Sequence, residues 1–285
     1  MSELLIGTGI SSSAAPHADP VAEALAAERA GYDFVSASDH PVGDHPTYDV
    51  LTMLAWVAAR TTRIGVATRV LGVPFRRPAM VAKAAESLQR LSDGRLVLGL
   101  GGGHVDDEIV ALGGAPLTPG QKVAGLAEAV TIMRGAWTGE AFDHDGQQHS
   151  VRGLRLTPSP VVPVPIWLGT YGPRALGVTG RLADGWIPSL GPATREELPR
   201  MLDRVRATSL EAGRDADAVR PVLNVSIRLD RRARTDAESI GGSAADIVDQ
   251  LGDYIDLGFR GFNLQPASEA EAVAAEVLPA LRTRR

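Results

Sequence analysis

Leu96-Val97-Leu98-Gly99-Leu100-Gly101-Gly102-Gly103-His104 reads as a buried strand that stops in three consecutive glycines and a histidine. Near-continuous apolar strands are what a parallel sheet covered by helices requires. Where the strand stops, glycine leaves the backbone bare, so a flat ring or a phosphate can approach closely. His104 adds a proton-handling group at the same edge. Comparable strand ends recur along the chain. They are Ser36-Ala37-Ser38-Asp39-His40-Pro41, Ala67-Thr68-Arg69-Val70 and Gly169-Thr170-Tyr171-Gly172-Pro173-Arg174.

Working outward, the strand-like runs are Leu4–Thr8, Phe34–Ala37, Ile64–Val70, Leu96–Leu100, Ile166–Gly169, Trp186–Pro188, Val222–Leu229 and Gly261–Leu264. Each is followed by a helical pattern. Asp19-Pro20 opens the first helix and Gly31 closes it; Ser243 and Gly258 bracket a later one. Thr118-Pro119-Gly120-Gln121 has capping-box spacing, ahead of an apolar stripe at Val123, Leu126, Val130, Met133 and Trp137. Eight β/α units in 285 residues predict an α/β fold, a (β/α)8 TIM barrel with rim insertions, as one domain over 1–285. A doubly wound open sheet is the alternative. The insertions are Thr138–Pro165 and Asp230–Gly242.

Net charge −5, few basic clusters and no cysteine argue against nucleic acid, a disulfide framework and cysteine metal sites. No apolar run approaches the ~20 residues of a membrane span, and Met1–Gly9 lacks a signal-peptide pattern. These features predict a cytoplasmic location. The two lysines, Lys83 and Lys122, fall in helices, so no strand-end lysine is available for Schiff-base chemistry. Only Asp39 is clearly placed among carboxylates, which is too few for a glycosidase.

In a barrel the site lies at the C-terminal strand ends. There Asp39 and His40 pair a carboxylate with an imidazole. The bland reading has Asp39 capping a loop and His40 packed under Pro41. Thr170 and Gly172 precede a helix N-terminus, a seat for an anion, and Arg174 adds a forked donor. Asp44, His45 and Asp49 show no recognised metal-ligand spacing. His144 and His149 read as loop surface, and Asp106, Asp107 and Glu108 as first-turn helix residues rather than acids.

The stretch Thr68–Pro78, Ser38-Asp39-His40, Ser92-Asp93-Gly94-Arg95 through His104, Ile166–Gly169 with Pro173-Arg174-Ala175, Ala183–Trp186 and Gly258-Phe259 together resemble the bacterial luciferase-like monooxygenase superfamily. Within it the chain most resembles the branch using the deazaflavin coenzyme F420. The resemblance implies a barrel that binds flavin or deazaflavin at its C-terminal face. It implies a non-prolyl cis peptide in strand three, which falls at Arg69–Val70 when aligned on Pro74 and Pro78. A small residue is usual where Arg69 stands, so the chain departs from the pattern there.

The resemblance further implies His40 beside the reactive ring carbon. His104 stands where relatives often carry a proton-donating carboxylic acid, a change that moves the working pH upward and weakens any transfer of a sugar-phosphate dehydrogenase role. The resulting expectation is an oxidoreductase that exchanges a hydride between F420 and a small organic substrate. His40 and His104 are its catalytic candidates. Its cofactor-binding candidates are Asp39, His40, Thr68, Arg69, Val70, Gly101, Gly102, Gly103, Gly169, Thr170, Tyr171, Gly172, Pro173 and Arg174, with no metal. Arg69, Arg76 and Arg77 would meet the cofactor's acidic tail. The alternatives are an FMN-dependent monooxygenase using reduced flavin and oxygen, and a non-catalytic flavin-binding barrel. A homodimer and a reductase system supplying reduced cofactor are the expected partners. Specificity is expected from Gly43–Asp49, Phe142–Leu156 and Asp230–Gly242.

Overall fold

Eight parallel strands close on themselves in the computed structural model, which describes residues 4–230, 232, 235–265 and 270–284. They are β1 (Leu5–Gly9), β2 (Phe34–Ala37), β3 (Gly65–Thr68), β4 (Leu96–Gly101), β5 (Ile166–Leu168), β6 (Gly185–Trp186), β7 (Arg220–Leu229) and β8 (Gly261–Gln265). Each pairs with the next, and β8 pairs back onto β1 with Gly261 opposite Leu5. That closure rules out the open sheet.

Helices fill the spaces between strands: α1 (Pro20–Ala30), α2 (Val50–Arg60), α3 (Pro78–Leu91), α4 (Asp106–Ala111), α5 (Pro119–Ala136), α6 (Pro173–Leu182), α7 (Leu198–Glu211) and α8 (Ala244–Leu257). After β8 come α9 (Ala270–Glu276) and α10 (Leu278–Thr283). Their ends follow the local signals. Asp39 aside, the caps are where the sequence puts them: Asp19 accepts from Val21 and Ala22 N–H, and Gly31 is left-handed at φ 87°. Thr118 with Gln121, and Ser243 with Asp246, form reciprocal capping boxes. Glu28 near the end of α1 ties that helix to β3. Its carboxylate accepts from the backbone N–H groups of Thr62, Arg63 and Ile64 at 3.0, 2.7 and 2.9 Å. Burial alone would raise its pKa; those donors and the Arg63 charge outweigh it, and the net shift is downward.

The inside of the barrel is layered, and this layering positions the site. A small apolar plug of Phe34, Ala67, Trp167, Ile187 and Val222 fills it, with Leu5, Val70 and Val97 packed around. Phe34 and Trp167 meet edge to face at 5.5 Å. Side chains along a strand return to the same face every second residue. Two positions beyond Phe34, Ala67, Val222 and Gly261 stand Ser36, Arg69, Asn224 and Asn263. These four are hydrogen-bonded to one another in a polar layer above the plug. The larger apolar cluster lies outside, between strands and helices, and includes the predicted α5 stripe at Leu126, Val130 and Met133.

Two sequence expectations need adjustment. The third strand does not run unbroken to Val70. It ends at Thr68, and Leu71–Gly72 rejoins the sheet on β4, the register having slipped by one residue, as at a bulge. The insertion Thr138–Pro165 contains an antiparallel ribbon, Phe142–Asp145 with Ser150–Leu154, that packs on the outer face of α5. Glu128 of α5 accepts from the N–H groups of Gln147, Gln148 and His149 there. His144 and His149 are accordingly half-buried in that ribbon, not free loop surface. The other insertion, Asp230–Gly242, follows β7 at the C-terminal rim; its residues 231, 233 and 234 lie outside the described ones.

Candidate active site

Above the polar layer opens a cavity of about 490 Å³ lined by the ends of five strands and the loops after them. Asp39 and His40 come from β2, Arg69 and Val70 from the β3 bulge, and Gly101, Gly102, Gly103 and His104 from β4. Gly169 and Tyr171 follow β5, and Ile187 and Ser189 follow β6. The four stretches around 40, 70, 103 and 171 therefore meet at one mouth, as a C-terminal barrel site demands.

One wall of the cavity carries the titratable cluster. His40 Nδ1 lies 2.8 Å from Glu108 Oε1, with the histidine side chain 47% exposed and the glutamate 13%. A carboxylate only accepts, so Nδ1 carries the proton and Nε2 is the basic nitrogen of neutral His40. The rings of His40 and His104 stand edge to face at 6.0 Å. Glu108 is the residue whose place in the cavity the sequence does not show. It does sit in the first turn of a helix, but α4 is short and starts right after the glycine run. That brings its third residue back over the strand ends and into the cavity. A carboxylate a few residues after a strand-end histidine was the available signal.

The back of the cavity is built on Val70. The Arg69–Val70 peptide bond is cis, where the resemblance located it. The Val70 side chain fills the space that side chains at three glycines would need. A Cβ on Gly101 would lie 2.6 Å from Val70 Cγ2, and Cβ atoms on Gly99 and Gly169 would lie 3.3 and 3.2 Å from its Cγ1. A Cβ on Gly99 would also strike the Thr68 carbonyl at 2.0 Å. Gly99 and Gly101 therefore serve the protein's own packing, whereas Gly103, at φ 74°, serves the turn. Bare backbone facing open space is left at Gly172, while a Cβ on Gly102 would make only ordinary contact with Lys122 at 3.4 Å. Thr68, expected at the cofactor, is fully buried and donates to the Gly99 carbonyl at 2.6 Å; it holds β3 to β4 instead of lining the cavity.

A second cavity of about 670 Å³ adjoins the first, sharing Gly102, Gly169 and Tyr171. It runs between the starts of α5 and α6 past Thr170, Gly172, Pro173 and Arg174. No side chain caps α6, and Pro173 opens it, so the first-turn N–H groups of Arg174 and Ala175 have no side-chain acceptor. An anion is favoured at such an end. Thr170 itself is buried, its hydroxyl 2.7 Å from Thr179 Oγ1.

Asp39 and Arg76 neutralise each other. The Asp39 side chain is 1% exposed. It takes a two-pronged pair from Arg76 at 2.7 and 2.9 Å and accepts from Gly72 N–H at 2.9 Å. Arg76 reaches Asp49 as well, at 2.5 Å. The pair pins the loop after β2 to the bulge; Arg76 is spent on it and does not offer itself to a cofactor tail. Arg77 is exposed at the start of α3. None of the expected specificity segments, Gly43–Asp49, Phe142–Leu156 and Asp230–Gly242, contributes to either cavity wall among the described residues.

The model of luciferase-like monooxygenases matches residues 6–239. The chain belongs to the luciferase-like monooxygenase family. Among relatives of this family, an F420-dependent glucose-6-phosphate dehydrogenase of Nocardia farcinica is 34% identical over 215 residues. That match covers 73% of this chain and 63% of the relative, so the chain spans less than two thirds of the relative's length. The fold is shared with an F420-dependent secondary alcohol dehydrogenase in complex with an F420–acetone adduct (TM-score 0.84, 18% identity, 98% of this chain and 99% of that one). It is shared equally with riboflavin lyase holding a modified FMN (TM-score 0.83, 16% identity, 99% and 92%). At such identities the structural likeness shows the family's barrel alone.

Proposed function

We propose that this chain is an F420-dependent oxidoreductase that acts on a small organic substrate, with His40 and His104 handling the proton. The observation that carries the reading is the pair of joined cavities at one barrel mouth. One is walled by Val70 and glycine backbone, and the other ends on uncapped helix N–H groups. This donor set fits a planar ring with a phosphate-bearing tail. Val70, Gly102 and Gly169 would face the ring, and Gly172, Pro173 and Arg174 would hold the phosphate. The name of the 34%-identical relative supports the deazaflavin over FMN.

When bound, the deazaflavin supplies hydride transfer; the chain supplies orientation and electrostatics. Glu108 fixes the His40 ring and keeps its proton on Nδ1, leaving Nε2 to take or return a substrate proton. His104 stands close enough to share that role. Val70, Phe75 and Ile187 give the cavity apolar walls that exclude water. Homodimerisation and delivery of reduced cofactor by a separate reductase belong to the same proposal. Among the described residues no helix is long and apolar enough to cross a membrane.

Titration of the purified protein with F420 and with FMN tests the cofactor. The expected result is saturable F420 binding and weak FMN binding; the reverse overturns the reading. His40→Ala and His104→Ala are each expected to lower turnover by about 10²–10⁴-fold with cofactor affinity retained. Undiminished turnover in both variants would remove the histidines from the mechanism. Glu108→Gln is expected to cost about 10–100-fold, as the loss of a ring-orienting partner does.

A further inference from the structure

The lining of the inner cavity is uneven in chemistry. The His40–Glu108 pair holds both a donor and an acceptor. The part around Arg69, in the polar layer on which the cavity opens, presents donors. Arg69 Nε donates to Ser36 Oγ at 3.2 Å, and no carboxylate among the described residues lies within ion-pair distance of its guanidinium. Desolvation by burial lowers its pKa, with the nearby Tyr171 acting in the opposite direction. The acceptor atoms around Arg69 already have donors. Ser36 donates to Asn263, Asn263 to Asn224, and Asn224 to Ser189 Oγ, at 2.9, 2.7 and 2.9 Å. Tyr171 Oη accepts from Ser189 N–H at 3.1 Å. The hydroxyl protons of Ser189 and Tyr171, and the outer nitrogens of Arg69, are left to face the cavity these residues line.

A half-buried guanidinium without a counter-charge costs stability and is retained where a ligand supplies the missing charge. We propose that the Arg69 part of the cavity receives a carboxylate of the substrate, with the Ser189 and Tyr171 hydroxyls as supporting donors. A planar guanidinium matches a carboxylate in two parallel hydrogen bonds. The substrate class that follows is a small organic acid. Its carboxylate is held at Arg69, in the same cavity that His40 lines. Assigning that anion to the substrate rests on the F420 reading, because the second cavity already provides for the cofactor's phosphate.

Benzoate and its neutral isostere benzamide, titrated by calorimetry into the protein without deazaflavin, test the site. Benzoate is expected to bind at least about tenfold more tightly, the scale of a hydrogen bond to a charged group. In Arg69→Met that preference is expected to disappear while the unliganded Tm rises, because an uncompensated charge has been removed. Equal binding of the two probes by the wild type, or a preference that survives in Arg69→Met, overturns the proposal. Ser189→Ala, expected to weaken benzoate alone, provides the same test if Arg69→Met fails to fold; unchanged benzoate binding there counts against the site. F420 titration of Arg69→Met separates the sources of the anion. Unchanged F420 affinity supports the substrate carboxylate, and a parallel loss assigns Arg69 to the cofactor and overturns it. A wild type that binds benzoate through Arg69 but no F420 leaves the anion site standing and refutes the cofactor reading instead.

Discussion

Adding one methyl group at successive glycines of β4 and the turn after it separates packing from function, because each methyl meets a different neighbour. At Gly99 the new Cβ would stand 2.0 Å from the Thr68 carbonyl oxygen, which is fixed backbone. At Gly101 it would stand 2.6 Å from Val70 Cγ2, which can shift only by moving the bulge. At Gly102 the nearest atom is Lys122 Cβ at 3.4 Å, an ordinary contact. Replacing strand glycine by alanine gains about 0.5–1 kcal/mol of chain entropy, whereas overpacking costs about 1–3 kcal/mol or more. The net expectation is a loss of about 3 kcal/mol or more for Gly99→Ala, about 1–2 for Gly101→Ala, and within about 0.5 of neutral for Gly102→Ala. At about 2–4 °C per kcal/mol these become Tm losses of roughly 6–12 °C, 2–8 °C and under 2 °C. Calorimetry reads the stability and F420 titration the site. Gly101→Ala is expected to lose cofactor affinity through Val70, and Gly102→Ala to lose it with the fold intact. A Gly102→Ala protein as unstable as Gly99→Ala would refute the packing argument. A Gly101→Ala protein unchanged in both stability and affinity would refute the role of Val70.

Two further outcomes follow from buried carboxylates. Arg76→Met strands the Asp39 carboxylate in a buried position and is expected to cost about 3–5 kcal/mol in urea unfolding, with Asp39→Asn/Arg76→Met recovering part of it. Recovery would be absent if the pair contributed only its packing. Glu28 has a pKa below that of a free glutamate, so between the folded and unfolded values the unfolded chain binds the extra proton. Stability from this group is therefore complete above the ordinary glutamate range and is lost as pH falls through the lower folded value. Glu28→Gln is expected to narrow the difference in Tm between pH 7 and pH 4; an unchanged difference would show that other carboxylates govern acid unfolding.

How much of the site was legible is best judged residue by residue. His40 and His104 were readable because a strand end is a local event: an apolar run, then glycine or a polar residue. Glu108 was not, because a first-turn acid after a strand looks the same whether it faces solvent or turns back over the barrel. Asp39 and Arg76 are far apart in the chain, so their ion pair is not legible there, although Asp39 does line the cavity. Thr68 stood at the right strand end but on the face turned toward Gly99.

The chain's own pattern determined the alternation of eight apolar runs with capped helices, and the strand ends where chemistry belongs. Those signals act over spacings of two to four residues, and Asp19, Thr118, Ser243 and Gly258 express them without help from the rest of the fold. Only closure of the barrel decided that Ser36, Asn224 and Asn263 share a layer, that Val70 occupies the room left by three glycines, and that Arg69 lies in the cavity wall without a carboxylate partner among the described residues. Such partners lie tens to hundreds of positions apart. Their meeting depends on strand register and burial, and neither is encoded within any single segment.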